Sequence, residues 1–490
     1  MRALHRSRAL FGSSFLLALA LSGCTGESPS ATGDGGSGAT NGSGGSGATG
    51  GGGSGPSAGP TFHKDIEPVL QRSCQSCHSA GNIAPFGLMT YEEAKMVSGL
   101  MKEQTELRKM PPWGAFETEE CKPKHGFRDD LRLSDAEIAT FAAWYDAGSP
   151  EGDPADAPPP IEIGGTDLPG MSVEVKPAVP YVSSGDKDQF RCFVMDPGLT
   201  KDEFLNGWNF IAGNPKVVHH ALLFVDPEGA SEALADEDGG YDCFGGSGIG
   251  GPLIAAWAPG GVPFELAPNI ATRIPAGSRL VMQIHYHPAG ETHEPDATRF
   301  QMRFTSSPEY EMVFALIGND GSQQADGDGL QPGPNDAGGI QFRIPAEASD
   351  HTETMLFTLP ATINGGPMPE LYVYGSGTHM HYVGTDMRVT LDHKNDQSAE
   401  KGQECLVQTP DWNFAWQRAY LYDTKIEDLP RFLPGDVLEM RCKYDNTMKN
   451  PYVVQALKDQ KLQAPVDVFL GEETLDEMCL AVLPLLYKTN

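Results

Sequence analysis

Basic residues are scarce in this sequence of 490 residues. Lys and Arg number 35 against 66 Asp and Glu, so the formal net charge is −31 at pH 7. A nucleic-acid-binding domain needs clustered Lys and Arg, so the charge argues against nucleic acid as a partner and favours solubility outside the cell. Long hydrophobic runs are also lacking, because no stretch beyond the N-terminus has the roughly 20 apolar residues of a transmembrane helix. No motif of a general-base or serine-nucleophile hydrolase is present.

Residues 1–24 have the pattern of an export signal. A basic start precedes the apolar run FLLALAL at 15–21, which is too short for a permanent membrane helix. The following LSGC resembles a bacterial lipobox, with Cys24 as the acylated residue, and an ordinary cleaved signal peptide is the alternative. With Thr25 after the cysteine, the resemblance implies a lipoprotein of a Gram-negative bacterium, in the periplasm or at the cell surface. Its lipid would anchor it to the outer membrane.

Residues 25–60 form a tract dominated by Gly, Ser and Thr, which we predict to be a flexible tether because it cannot bury a core. Its root-mean-square span of about 5–6 Å × √n would place the folded body roughly 30–36 Å from the anchor. Export also implies an oxidising compartment, where cysteines can pair. Cys24 and the two cysteines of the next motif have other roles, and the pairing of the rest stays open: Cys121, Cys192, Cys243, Cys405, Cys442 and Cys479.

Residues 61–152 are predicted to form a small helical domain with a covalent haem. The stretch SCQSCHSAG places Cys74 and Cys77 two residues apart, with His78 directly after them. In this pattern the two thiols attach a c-type haem and the histidine becomes an axial iron ligand. A redox-active dithiol is the alternative, but the trailing histidine and the lack of a βαβ pattern disfavour it.

The sequence also offers a sixth haem ligand. Met110 lies in RKMPPW, on a loop stiffened by Pro111 and Pro112. A thioether ligand raises the haem potential and leaves no open position for oxygen. A methionine that merely fills the core is the alternative. The domain is therefore expected to carry single electrons rather than to catalyse a reaction.

The end of this domain is predicted to be a capped helix. Ser134 and Glu137 have the spacing of a capping box, and Gly148 is placed to end the helix. Apolar residues recur between them at helical intervals, namely Ile138, Phe141, Ala142 and Tyr145. The segment resembles the C-terminal helix of class I cytochromes c. A linker rich in Pro and Gly follows at 153–170.

The rest of the chain has the residue pattern of an all-β protein. Short alternating apolar runs, such as RLVMQIHYH and DVLEMRCKY, are separated by Gly, Pro, Asn and Asp, which predicts β-sandwiches or barrels. A low-complexity patch at 318–339 divides the region into two predicted domains, 171–335 and 336–490.

Histidines are concentrated in these predicted strands. His285 and His287, and likewise His379 and His381, are two residues apart, so each pair would share one face of a strand and could hold one metal ion. The pair in KVVHHALLFV is different, because consecutive residues on a regular strand point to opposite faces. Periodicity alone therefore predicts that His219 and His220 do not act together.

Five segments in order carry a family resemblance, namely VVHHALLF, LVMQIHYHPAG, THMHYVGTDMRV, LEMRCKY and LDEMCLAVLPLLY. They resemble the copper type II, ascorbate-dependent monooxygenases, the group of dopamine β-monooxygenase and peptidylglycine α-hydroxylating monooxygenase. The resemblance covers about residues 170–490. It implies two jelly-roll-like β-sandwich domains with one copper each.

The same resemblance implies the ligands. His219, His220 and His285 correspond to the ligands of the first copper, so the strand would have to bend locally. For the second copper, where oxygen and substrate would meet, the resemblance implies three catalytic ligands: His379, His381 and Met478. A thioether suits Cu(I). The resemblance further implies a disulfide between Cys442 and Cys479, and a supporting or structural position for His287. For five other histidines we expect surface or hydrogen-bonded structural positions: His63, His125, His293, His351 and His393.

Departures from the family pattern bear on the substrate. Where the peptide-hydroxylating branch has an arginine that clamps a carboxylate, this chain has Gly377, and two further polar positions are Leu480 and Val482. Apolar groups cannot pair a buried carboxylate, so a peptide with a C-terminal glycine is not expected. The aromatic stretch DWNFAWQ at 411–417 could line a pocket or fill the core.

The resemblance implies hydroxylation of a C–H bond of a small organic substrate with O₂, with ascorbate or another one-electron donor. The fused haem suggests that electrons pass from the haem to the three-histidine copper. The alternative is a periplasmic electron-transfer or copper-binding protein without hydroxylase activity. A zinc site on the same histidines is a third reading, which Met478 disfavours.

Overall fold

The computed structural model describes residues 59–79, 84–161, 167–183, 189–243, 246–257, 263–286, 294–336, 338–414, 416–471 and 475–489. The export signal with Cys24, nearly all of the tether, His287 and His293 lie outside these residues. Within the described part of the chain, no helix is both long and apolar enough to cross a membrane.

Helices are few and lie mostly near the N-terminus. A π-helical turn, Phe62–Ile66, leads directly into the first α-helix. The α-helices are α1 Glu67–Ser73, α2 Tyr91–Met96, α3 Ser98–Glu106, α4 Asp135–Asp146 and α5 Pro451–Asp459. Short 3₁₀ turns cover Pro154–Asp156, Ala230–Ala233 and Ile426–Asp428.

Helix α4 confirms the predicted capping box. The backbone N–H of Glu137 donates to Ser134 Oγ, and the Glu137 side chain accepts from the Ser134 backbone. The helix ends before Gly148, whose φ is +83°. The predicted apolar face is partly wrong, because Tyr145 is 45% exposed while Trp144 is fully buried. The Trp144 Nε1–H donates to the Pro150 carbonyl 2.9 Å away, which turns that ring inward.

The N-terminal helices have a hydrophobic core of their own. Buried apolar side chains from the π-helical turn, α1, α2, α3 and α4 form one cluster, with Leu88 and Leu133 from the connecting segments: Phe62, Ile66, Val69, Leu70, Leu88, Ala94, Met101, Leu133, Phe141 and Trp144.

Strands make up most of the regular secondary structure in the remaining described residues, as the alternating apolar pattern predicts. The first eleven strands are β1 Val173–Val175, β2 Gln189–Met195, β3 Glu203–Ile211, β4 Val218–Asp226, β5 Gly240–Asp242, β6 Leu253–Trp257, β7 Phe264–Glu265, β8 Ile270–Ile274, β9 Arg279–Tyr286, β10 Arg299–Thr305 and β11 Tyr310–Gly318. The others are β12 Gly329–Leu330, β13 Arg343–Ile344, β14 His351–Thr358, β15 Thr362–Ile363, β16 Gly366–Pro367, β17 Leu371–Val373, β18 Gly375–His379, β19 Gly384–His393, β20 Gly402–Thr409, β21 Ala419–Leu421, β22 Arg431–Phe432, β23 Val437–Tyr444, β24 Val468–Phe469 and β25 Leu480–Lys488.

Three sheets hold most of these strands. Two five-stranded sheets have the orders β5-β2-β9-β4-β6 and β12-β14-β23-β19-β20. The first lies within the predicted domain 171–335, and the second lies within 336–490 except for β12, which comes from the end of the first predicted domain. The third, eleven-stranded sheet contains the path β1-β10-β3-β8-β11-β25-β17-β22 and joins both halves, since β11 pairs with β25 along its whole length. This mostly β architecture is consistent with β-sandwich domains.

Strand β23 illustrates why the sequence adopts this structure. In VLEMRCKY every second side chain is buried, namely Leu438, Met440, Cys442 and Tyr444, which matches the two-residue period of a strand. The low-complexity patch at 318–339 is also part of the fold. Within it, β12 pairs with β14 and Leu330 is fully buried.

Three disulfides lie among the described residues. Cys192–Cys243 and Cys442–Cys479 are within the β region, and Cys121–Cys405 joins the segment before α4 to β20. Cys442–Cys479 is the pair that the family resemblance implies, and the other two resolve a pairing that the sequence leaves open. Cys74 and Cys77 are not part of a disulfide. Disulfides of this kind fit an extracytoplasmic protein.

Candidate metal centres

A bulge in strand β4 brings three histidines together. Strands β4 and β9 are antiparallel neighbours, and His220 pairs directly with His285. The register shifts between Val218 and His220, so His219 is an extra residue on β4. A bulge breaks the alternation of side chains and re-aims them. The expectation that His219 and His220 cannot act together is therefore wrong, because it assumed a regular strand.

The three imidazoles converge on one another. His220 Nδ1 lies 3.4 Å from His219 Nδ1 and 3.3 Å from His285 Nδ1. One nitrogen of each ring lies within 4.8 Å of the others, a spacing at which they could hold one metal ion. His220 and His285 are buried, and Phe190 stacks on His285 with ring centroids 4.4 Å apart. Three imidazole nitrogens are a donor set that suits copper as well as zinc.

The second group of predicted ligands lies where β18 meets β25. His379 is the last residue of β18 and pairs with Leu480, two residues after Met478. The buried Glu477 carboxylate accepts the backbone N–H groups of both His381 and Met478. Tyr444 OH donates to the Met478 carbonyl at 2.9 Å. The backbones of His381 and Met478 are thus tied to one carboxylate, which brings these segments together across nearly 100 residues of sequence.

Burial raises the pKa of the Glu477 carboxyl to about 8, against the opposing effect of backbone N–H groups that include those of His381 and Met478. The role of this carboxyl group is to accept the main-chain N–H groups of His381 and Met478 and so hold the two segments together.

Both rings of this group are oriented through Nδ1. His381 Nδ1 lies 3.0 Å from the Asp476 carbonyl oxygen, and His379 Nδ1 lies 2.5 Å from Gln417 Oε1. Because a carbonyl oxygen only accepts, the Nδ1 of His381 carries the proton and its Nε2 has the lone pair. The ring centroids are 5.3 Å apart. A hydrogen bond from the far nitrogen to an oxygen is what orients metal-binding histidines.

The aromatic stretch at 411–417 packs against this group. Trp412 and Phe414 are buried, and the Trp412 Nε1–H donates to the His381 carbonyl at 3.1 Å. These two rings therefore belong to the core next to the site. Gln417 is a functional candidate that the sequence does not reveal, because a glutamine 38 residues after a histidine has no recognisable pattern.

The haem motif lies at the end of helix α1. Cys74 follows its last residue, and the backbone N–H groups of Cys77 and His78 both donate to the Cys74 carbonyl. His78 Nδ1 lies 3.1 Å from the Phe86 carbonyl oxygen, which leaves Nε2 as the unprotonated nitrogen. Burial raises the pKa of the Cys74 thiol to about 12 and also raises that of Cys77. Met110 is half-buried on the segment after α3.

A third cluster was not expected from the sequence. Atoms of His393, Glu400 and Glu404 also lie within 4.8 Å of one another. His393 Nε2 is 3.0 Å from Glu404 Oε2, and this hydrogen bond raises the pKa of the imidazole. Glu400 contacts the Lys124 ammonium. Glu404 is thus hydrogen-bonded to His393 and Glu400 is paired with Lys124, which is the pattern of a side-chain network.

The structural positions expected for other histidines are confirmed where the structure describes them. His63 contacts Glu67, His125 contacts the Asp428 carbonyl, and His351 contacts Glu353.

Gly377 stands opposite Val482 in the pairing of β18 with β25. A Cβ added at Gly377 would meet the Arg418 carbonyl oxygen at 2.9 Å, so the backbone leaves no room for a side chain.

Comparison with known proteins gives one informative similarity. The chain is 23% identical over 283 residues to "Putative DBH-like monooxygenase protein 2" of Homo sapiens. The match covers 55% of this chain, and the chain spans about half the length of the relative, 47%. This is a distant similarity to a protein whose name is that of a DBH-like monooxygenase. No family model matches the chain.

The solved structures that resemble the chain are distant. N-glycanase F has a TM-score of 0.24 at 9% identity, covering 65% of this chain and 96% of that one. The major capsid protein P2 of bacteriophage PM2 has a TM-score of 0.23 at 6% identity, with 65% and 97% covered. Similarities at this level carry no argument about function.

Proposed function

We propose that this chain is a copper-dependent monooxygenase that hydroxylates a C–H bond of a small organic substrate with O₂. The observation that carries the proposal is the bulge at His219, which gathers His219, His220 and His285 within reach of one ion. A regular strand would not place consecutive imidazoles together. The similarity to a DBH-like monooxygenase supports the same reading.

In this proposal His219, His220 and His285 hold one copper, and His379, His381 and Met478 hold the other. When bound, the two ions supply the electrons and the oxygen activation for the hydroxylation. The chain orients the two imidazole rings. The Asp476 carbonyl contacts Nδ1 of His381 and Gln417 contacts Nδ1 of His379, which leaves Nε2 of each ring as the metal ligand. The buried thioether of Met478 favours the cuprous state of its ion.

Around this second centre the chain presents apolar surface. Leu480 is buried opposite His379, and neither Leu480 nor Val482 can pair a carboxylate. Gly377 has no space for a basic side chain. We therefore propose a substrate without a carboxylate at this position.

The haem belongs to the same proposal. Cys74 and Cys77 would attach it, and His78 and Met110 would be its axial ligands. Neither cysteine is part of a disulfide, and His78 Nδ1 is hydrogen-bonded to the Phe86 carbonyl, both of which fit this role. Ascorbate or a redox protein would supply electrons from outside. Acylation at Cys24 would anchor the chain to the outer membrane, facing the periplasm or the cell surface.

Metal analysis of the full chain, expressed with haem maturation and copper, tests the proposal. We expect two coppers per haem iron, one copper after His285→Ala and one after His381→Ala. His63→Gln is the matched control, because His63 bonds to Glu67 in the helical domain, and it should keep both coppers. Oxygen uptake with carboxylate-free organic compounds would follow. A single copper in the unchanged chain, or zinc retained under copper excess, would contradict the proposal and favour an electron carrier or a metal-binding protein.

A further inference from the structure

Helix α5 and the segments that flank it carry a concentration of exposed apolar side chains. Of the sixteen large apolar side chains that are exposed in the described part of the chain, five lie within residues 448–469, and each of these is between 38% and 49% exposed: Met448, Val454, Leu462, Val466 and Phe469. Single apolar residues are normal at a protein surface, whereas a group of them marks an interaction site. We call the exposed side chains of residues 448–469 the α5 surface.

Helix α5 presents one side of itself to solvent. Val453, Ala456 and Leu457 are buried and hold the inner side of the helix on the β region. Val454 and Lys458, four residues apart, are exposed, so they lie one above the other on the outer side. The helix therefore lies along the surface of the protein.

The segments at the two ends of α5 adjoin each other. Asn446 Nδ2 donates to the Val466 carbonyl at 2.8 Å, which places the turn before the helix beside the segment after it. The backbone N–H of Leu462 donates to the Leu457 carbonyl at 2.8 Å, so Leu462 follows directly on the last turn of the helix. Because α5 has nine residues and is about 14 Å long, these exposed side chains share one compact region.

The α5 surface is locally basic in an acidic protein. Lys449, Lys458 and Lys461 are exposed, whereas residues 446–466 contain a single acidic residue, Asp459. Asp467, the next acidic residue, is paired with Arg343. The net charge of −31 means that an anionic surface repels the molecule as a whole. Since charges act over only about 8 Å at physiological ionic strength, the local balance decides which side can approach such a surface.

The α5 surface lies on the side of the second candidate copper centre. Asn450 Nδ2, next to the start of α5, donates to the Tyr382 carbonyl at 3.0 Å, and Tyr382 directly follows His381. The ring centroids of Tyr382 and Tyr452, which is on α5, are 6.3 Å apart. Whatever covers the α5 surface therefore also covers this side of the second centre.

We propose that the α5 surface contacts an anionic phospholipid bilayer and turns this side of the molecule toward it. Apolar side chains with lysines beside them suit the boundary between anionic headgroups and acyl chains. This inference rests on the lipid anchor at Cys24 in the proposed function. The tether would keep the body within roughly 30–36 Å of the bilayer. A contact that is weak by itself then acts at a high effective concentration.

Lysine acetylation of the full acylated holoprotein in vesicles, read by mass spectrometry, tests the contact. Anionic vesicles of phosphatidylethanolamine with phosphatidylglycerol are compared with neutral vesicles of phosphatidylcholine. We expect slower acetylation in the anionic vesicles at the three lysines of the α5 surface: Lys449, Lys458 and Lys461. Lys201, whose side chain is 76% exposed outside this surface, should react equally in both.

Variants measure the contribution of each kind of side chain. The attraction of one lysine to an anionic surface corresponds to about fivefold in binding, so Lys461→Gln should lower the ratio of protected to reactive Lys449 by about fivefold. Lys201→Gln is the matched control and should leave the ratio unchanged. Met448→Ser should also lower the ratio, whereas Ile363→Ser, at a side chain that is similarly exposed, should not.

Three results would overturn the inference. Equal acetylation of the three lysines in both kinds of vesicle would do so and, with two coppers still bound, would leave the proposed monooxygenase intact. Protection that persists in neutral vesicles and rises with the density of protein on them would assign the surface to a second copy of the chain. A chain without lipid on Cys24 would lack the anchor that the contact needs, independently of the number of coppers.

Discussion

Alanine in place of Gly377 would push strand β18 away from its neighbour β21. A Cβ at this position meets the Arg418 carbonyl oxygen at 2.9 Å and the Ala419 Cα at 3.0 Å. Both are backbone atoms, so no side-chain rotation can relieve the contact, and the strands must separate by a few tenths of an ångström.

The size of the effect follows from two opposing contributions. Overpacking of this kind costs about 1–3 kcal/mol. Alanine also makes the unfolded chain less flexible than glycine does, which stabilises the folded protein by about 0.4–1 kcal/mol. The net loss of stability is therefore up to about 2.5 kcal/mol. Because Arg418 follows Gln417, the same displacement should disturb the partner of His379 and weaken copper binding at that centre by about 10–100-fold.

Gly366→Ala is the matched control. Gly366 also lies in a short strand, but its added Cβ meets nothing closer than the Ile363 carbonyl oxygen at 3.7 Å, an ordinary contact. Denaturant unfolding followed by near-UV circular dichroism measures the stability of both variants, and copper titration measures the two centres. If Gly377→Ala matched Gly366→Ala in stability and in copper binding, the close approach of β18 and β21 would be refuted.

Three further predictions concern other parts of the molecule. Replacing both Cys121 and Cys405 by serine removes a link across 284 residues, which should lower stability by up to about 5 kcal/mol and increase hydrogen exchange in residues 113–132; equal exchange would contradict the stabilising role of the disulfide. The pKa of His393 is raised mainly by its bond to Glu404, so its protonated form stabilises the fold below its unfolded pKa of about 6.5, and that stability is lost as pH rises through the higher folded value. The difference in melting temperature between the unchanged chain and His393→Gln should therefore be larger at about pH 6 than at about pH 9. A difference that does not change with pH would refute the stabilising role of protonated His393. A copper chelator should remove both coppers yet leave the haem on the chain after denaturation, because Cys74 and Cys77 would hold it covalently; release of the haem would exclude the attachment.

The sequence by itself determined the features that depend on local chemistry. The spacing of Cys74, Cys77 and His78 predicts haem attachment because both thioether bonds would form within a short stretch of chain, and this stays a prediction. The capping box of Ser134 and Glu137 is confirmed for the same reason, since its hydrogen bonds join residues three apart. Two-residue alternation identified the β region, because side-chain direction along a strand is a local property.

Other features were decided only by tertiary structure. Alternation predicted the wrong relation between His219 and His220, because the bulge exists only in the pairing of β4 with β9, whose paired histidines, His220 and His285, are 65 residues apart. The role of Gln417 depends on the approach of β18 to β21.

The contact of residues 113–132 with the C-terminal β region is also a tertiary feature. It rests on a disulfide across 284 residues and on contacts between surfaces that share no sequence pattern. Residue spacing encodes neighbours along the chain, whereas these partners are chosen by how the sheets pack. The candidate ligands could therefore be read from the sequence, but contacts that orient them, such as that of Gln417 with His379, could not.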